Sequence, residues 1–113
     1  MVEGNVESLR EKECYLEAVI NRKRKKIPIA SIEYIESKGR KIILHLASGD
    51  MTFYCKISDL EEKMRNNGFV RIHQSFMVRK AQITSICRTH VKYGEMEIPV
   101  SRRYYGELRK NLE

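Results

Sequence analysis

The feature that most restricts this chain is a two-residue alternation, repeated in segments too closely spaced to hold a crossover between them. Ile42, Leu44 and Leu46 alternate with Lys41, Ile43 and His45, and Met51, Phe53 and Cys55 alternate with Thr52 and Tyr54. Successive side chains of a strand point to opposite faces, so such text describes strands with one buried face. Ser48-Gly49-Asp50 between them supplies turn chemistry, with a glycine free to take a positive φ. The same reading places strands at residues 15–21, 32–36, 69–72, 76–78 and 83–88, and pairs 90–93 with 95–100 across Gly94. Parallel strands need connections of a dozen residues or more, so these pair antiparallel. The expected fold is mainly β, in small antiparallel sheets with one or two short helices. Pro28 and Pro99 donate no ladder hydrogen bond and mark edges or bulges.

Two segments break the alternation. Ser58-Asp59-Leu60-Glu61 has the form of a capping box. Leu60 and Met64 follow at helical spacing and Asn66-Asn67-Gly68 ends the run, which predicts a helix of about two turns covering one sheet. Near the C-terminus Ser101 is placed to cap a helix reaching Asn111, with Tyr104, Tyr105, Leu108 and Leu112 as its apolar face. Residues 1–13 are acidic and lack a sustained apolar pattern. They read as a tail, a linker remnant or a short helix begun at Ser8, ahead of one domain over residues 14–113.

Size and charge narrow the function. A chain of 113 residues hides roughly two-thirds of its unfolded surface, enough for one core and too little for separate substrate and cofactor domains. No uninterrupted apolar run exceeds three residues, which excludes a membrane-spanning helix or a signal peptide. Three widely spaced cysteines, Cys14, Cys55 and Cys87, do not suit a disulfide framework and point to a reducing, cytoplasmic setting. The net charge is +7. Residues 1–20 hold two basic and five acidic side chains, a balance of −3, which leaves +10 on the rest. That body calls for an anionic partner, nucleic acid or anionic lipid.

Catalysis finds no support. The cysteines and His45, His73 and His90 do not form the two ligand pairs of a closed zinc site. The six glycines make neither a dinucleotide fingerprint nor a phosphate loop, so no cofactor is expected and the chain is not read as an enzyme. Four stretches stand out instead. Residues 22–26 are five consecutive cations, either a hairpin tip that grips phosphates or a solvated turn. Ser37-Lys38-Gly39-Arg40-Lys41 is a basic loop on a rigid sheet, able to enter a groove or simply to close a hairpin. In the stretch from Phe69 to Phe76, Gln74 can pair with an adenine edge while Arg71 and Ser75 can hold phosphate oxygens. In Ile98-Pro99-Val100-Ser101-Arg102-Arg103-Tyr104 a strand ends and a helix begins with two arginines. A helix start already favours anions, so cations there suit an external anion, and arginine can read guanine O6 and N7.

These residues resemble the LytTR family, the DNA-binding output domain of LytR/AlgR-type bacterial response regulators. The matching text is Ile27-Pro28 through Ile32-Glu33-Tyr34-Ile35-Glu36, then Phe69-Val70-Arg71-Ile72-His73-Gln74-Ser75-Phe76-Met77-Val78, then Ile98 to Tyr104. The similarity runs from about Tyr15 to Leu112 and departs at Arg79, where family members commonly carry asparagine. The resemblance implies an elongated set of small antiparallel sheets whose loops enter successive major grooves of duplex DNA, two protomers commonly sitting on paired direct repeats. It implies base contacts from Arg40, Gln74 and Arg103, and phosphate contacts from Lys38, Lys41, Arg71, Ser75, Ser101 and Arg102. A weak or DNA-dependent dimer and a receiver domain in the full-length protein belong to the same expectation. Two other readings compete with it. One is a single-stranded RNA module that stacks bases on Tyr34, Tyr54 and Tyr93. The other is a protein-interaction domain whose basic surface meets an acidic partner.

Overall fold

The structure, a computed structural model, describes residues 14–112. The acidic head, and with it the expectation of a tail, a linker or a short helix begun at Ser8, lies outside the described residues, as do the side chains of Asn111 and Leu112. In chain order the elements are β1 (Tyr15–Ile20), β2 (Lys23–Pro28), β3 (Ile32–Lys38), β4 (Lys41–Leu46), β5 (Gly49–Tyr54), α1 (Ile57–Arg65), β6 (Phe69–His73), β7 (Phe76–Arg79), β8 (Ile83–Ile86), β9 (His90–Tyr93), β10 (Met96–Pro99) and α2 (Arg102–Leu112). They form a five-stranded sheet in the order β5-β4-β3-β7-β6, a two-stranded ribbon β1-β2 and a three-stranded sheet β10-β9-β8, with every pairing antiparallel. The mainly β expectation is met, and the molecule is somewhat elongated at 46 × 36 × 25 Å.

The burial pattern follows from how many faces of each strand are covered. On β4 only Ile42 and Leu44 are buried, one face of the strand. On β3 the buried Ile35 pairs with Leu44 and the buried Ile32 with Leu46, yet the two are three residues apart, an odd spacing that would put them on opposite faces. A register shift between Ile32 and Tyr34 restores both to the same side. Strands β6 and β7 differ, because Phe69 and Met77 face one core while Val70, Ile72 and Val78 face a second. The first core joins the ribbon, one face of the large sheet and α1. The second joins the opposite face of β6 and β7 to the three-stranded sheet and to Leu108 of α2. Removing each such large apolar side chain from water contributes about 1.5–3 kcal/mol, and Met64, Ile72 and Leu108 are nearly fully buried.

Several local expectations need correction. Ser58 does not cap α1: the N-cap is Lys56, no side-chain cap is made, and the helix starts one residue before the serine. Residues 23–26 are not a loop. The turn is Asn21-Arg22, both at positive φ (55° and 66°), and the cations after it run along β2 with their side chains exposed. A charged strand at a sheet edge discourages pairing with a second chain, which accounts for them without a ligand. The β4-β5 turn is Ala47-Ser48, with Gly49 (φ 134°) as the first residue of β5. Pro99 lies on an edge strand, as expected. Arg79 donates to the carbonyls of Ile32, at 2.8 Å, and Ile29, and covers the Phe69 ring at 4.7 Å, so here it locks β7 to the short turn before β3.

Candidate nucleic-acid interface

The strand registers gather the predicted loops at one edge. Lys38 pairs with Lys41, Lys41 with Tyr54, Glu36 with Phe76 and His73 with Phe76, so the ends of β3, β5 and β6 and the starts of β4 and β7 lie together. Two two-residue turns cross that edge, Gly39-Arg40 and Gln74-Ser75. They are tied by their backbones, since Ser37 N donates to Ser75 O at 2.8 Å. The start of α2 is bolted to the same place by Ser101 N donating to Ile72 O at 2.9 Å.

The turns are held in different ways. Gly39 takes φ 64°, the left-handed conformation that suits the first central position of a tight hairpin. Arg40 beside it is exposed and Cys55 N donates to its carbonyl at 3.2 Å. Neither Gln74 nor Ser75 has a positive φ, and side chains hold that turn. Arg71 Nε donates to His73 O at 3.0 Å and Arg71 Nη2 to Gln74 O at 2.9 Å, while Ser75 N donates to His73 Nδ1 at 3.0 Å. The third guanidinium nitrogen meets Glu61 Oε1 at 2.7 Å. Glu61 is on α1, where its other oxygen accepts from Arg65 at 2.6 Å.

Six of the predicted residues are exposed cations or amides on this side of the protein: Lys38, Arg40, Lys41, Gln74, Arg102 and Arg103, Lys41 lying over the Tyr54 ring at 5.4 Å. No acidic residue lies in the first turn of α2 to offset the two arginines. Arg103 sits over the Tyr104 ring at 5.5 Å, and Arg71 over the same ring at 5.1 Å, which links the Gln74 turn to the helix. Two candidates face the protein instead. Arg71 has a side chain only 10% exposed and spends its donors internally. The Ser101 hydroxyl is buried and makes no hydrogen bond; its carbonyl, not its side chain, starts α2 by accepting from Tyr104 and Tyr105 N at 3.1 and 3.2 Å.

The aromatic face needed for base stacking is not assembled. Tyr34 is stacked on His45 with centroids 4.1 Å apart, and Tyr93 is 4% exposed with its hydroxyl donating to Glu33 O. Of the three tyrosines only Tyr54 stands open, at 74% exposure.

Sequence reasoning missed the roles of four side chains. Glu61 was legible only as a capping residue, and Tyr104 only as core. Cys87 and His90 meet, Sγ to Nδ1 at 3.3 Å, in a loop whose Thr89 carbonyl accepts from Val100 N just before α2, and hydrogen bonds from Thr89, then from His90, hold the exposed Cys87 thiol below its usual pKa. Cys55 goes the other way, since burial pushes its thiol up. Among the described residues no group of three His, Cys, Asp or Glu side chains converges as metal ligands, and no helix is long and apolar enough to cross a membrane.

Two short turns and a cation-bearing helix start thus lie together on one edge of a β scaffold. The family model for the LytTr DNA-binding domain matches residues 22–113, and the chain belongs to that family, a non-catalytic one whose members are the DNA-binding domains of response-regulator transcription factors. A solved structure with a similar fold is the LytTr DNA-binding domain of a Bacillus cereus protein described as a methyl-accepting/DNA response regulator. It is 22% identical, with a TM-score of 0.71 over 87% of this chain and 95% of that one. No curated protein matches the chain.

Proposed function

We propose that this domain reads duplex DNA sequence-specifically, as the output of a bacterial two-component transcription regulator in the cytoplasm, with its turns entering successive major grooves. The observation that carries the reading is the common edge that unites the Gly39-Arg40 turn, the Gln74-Ser75 turn and the start of α2. Arg40, Gln74 and Arg103 are the base-reading groups. Lys38, Lys41, Ser75 and Arg102 flank them and hold phosphates, which fix register without reading sequence. Two protomers occupy paired direct repeats and associate weakly or only on DNA. Residues 1–13 are an acidic head or linker, and the DNA-binding domain spans 14–113.

Selection of bound duplexes from a random pool tests this directly. The expected result is a repeated motif with fixed spacing, and Arg103→Ala then costs about 1–3 kcal/mol on the selected duplex and relaxes one base position. Recovery of unrelated duplexes, or equal losses on selected and scrambled DNA, overturns it. Competition by single-stranded RNA across a salt series decides between DNA and the stacking alternative.

A further inference from the structure

Resting on that reading, we infer that Arg71 and Glu61 are positioning residues for sequence discrimination: Arg71 sets the Gln74 turn against the start of α2, and Glu61 sets Arg71. The consequence is counter-intuitive, because an acidic residue on a protein that binds a polyanion then contributes to binding its correct target.

The Gln74-Ser75 turn has no glycine and no left-handed residue, so its shape depends on bonds from outside its own backbone. Arg71 supplies two of them, to the carbonyls of His73 and Gln74 on either side of the Gln74 peptide. Those carbonyls bracket the residue whose amide does the reading, so their position sets where the Gln74 side chain starts. The same guanidinium lies on the Tyr104 ring, which Arg103 also covers. One planar cation therefore ties two base-reading groups to one frame. Arg71 can do so only while it is itself fixed, and Glu61 fixes it at 2.7 Å, with Arg65 bonding the second carboxylate oxygen. Lysine cannot replace this fork, since an ammonium is a point charge without the planar set of donors.

Simple Coulomb reasoning makes the opposite forecast. Removing Glu61 adds a positive charge, and removing Arg71 as a phosphate contact lowers the salt dependence by about one ion. Positioning predicts that discrimination changes and the salt slope does not.

The test uses the full chain and its Glu61→Gln, Arg71→Lys and Arg71→Gln variants, with the double variant Glu61→Gln/Arg71→Gln. Each is titrated with a duplex selected by the unmodified protein and with a scrambled duplex of equal length, over a salt series, after circular dichroism has established folding. The expected result is a selected-to-scrambled affinity ratio about tenfold lower in each single variant, unchanged or tighter binding of scrambled DNA, and an unchanged salt slope. The double variant loses no more than Arg71→Gln, because both act through one contact. A folded Glu61→Gln with an unchanged ratio overturns the inference, as does an Arg71→Gln whose salt slope falls by about one while its ratio holds. Amide exchange at Gln74 and Ser75 in the free protein gives a readout that needs no DNA. It accelerates in Arg71→Lys if Arg71 positions the turn, and unchanged exchange overturns the inference. Absence of discrimination by the unmodified protein would instead strike the proposed function, leaving exchange to judge Arg71.

Discussion

Gly39-Arg40 and Gln74-Ser75 are turns of the same length at the same edge of the same sheet, yet they are built by different physics. The first is made locally: a glycine at φ 64° closes it, nothing lies within 4 Å of where its Cβ would be, and its arginine projects into solvent. The second is made by side chains, with Arg71 in the strand just before it bonding two of its carbonyls and Glu61, ten residues further back, holding Arg71. The lesson is one of tolerance. A locally closed turn can change its reading residue without disturbing its neighbours, whereas a wired turn presents its side chain in a set place and transmits changes made elsewhere.

That contrast can be broken in four ways, beginning with the largest effect. Gln74→Ala should cost about 1–3 kcal/mol on selected DNA and leave scrambled DNA unaffected, measured by fluorescence anisotropy; a smaller loss than Arg40→Ala would reverse the ranking of the two turns. Gly39→Ala should lower folding stability by about 1 kcal/mol in urea unfolding, through φ alone because the space is open. Lys41→Ala should weaken selected and scrambled duplexes alike and reduce the salt slope by about one, since its contact carries no sequence information. The smallest effect is on thiol chemistry. At pH 7 to 8 Cys55, next to the Arg40 turn, should be alkylated more slowly than Cys87, because burial raises the Cys55 thiol pKa while hydrogen bonding by Thr89 and His90 lowers that of Cys87, leaving Cys55 with less thiolate. Bound duplex should slow Cys55 further, and a Cys55 rate unchanged by the selected duplex would place the Arg40 turn away from DNA.

Much of the scaffold was legible because its information is local. Alternation at Ile42, Leu44 and Leu46 marks a strand wherever it falls, and Gly39 and Gly94 announce turns that need φ 64°. What escaped was set by contacts between distant residues. Ile32 and Ile35 break the two-residue period because a register shift lies between them, and no property of either residue announces it. The Ser58 capping box was misread because Lys56, two residues earlier, already has the extended conformation of an N-cap. Glu61 fitted the box by type, but a nearby guanidinium won its carboxylate. The candidate site divides the same way. The exposure of Arg40, Gln74 and Arg103 follows from their places in turns and at a helix start, while the inward turn of Arg71 and of the Ser101 hydroxyl depends on what packs around them.

Strands β6 and β7 contribute alternate residues to both cores, and Tyr93 OH, from the three-stranded sheet, accepts from Arg79 N at 3.1 Å and donates to Glu33 O in the large sheet. Neither core can be exposed without stripping one face from strands that the other still needs. The two halves therefore open together rather than in sequence, and the backbone amides of Val70, Ile72 and Val78 should exchange with solvent only when the whole domain unfolds. A domain that opens as one unit offers proteases no partly unfolded state in which the edge bearing the two turns survives.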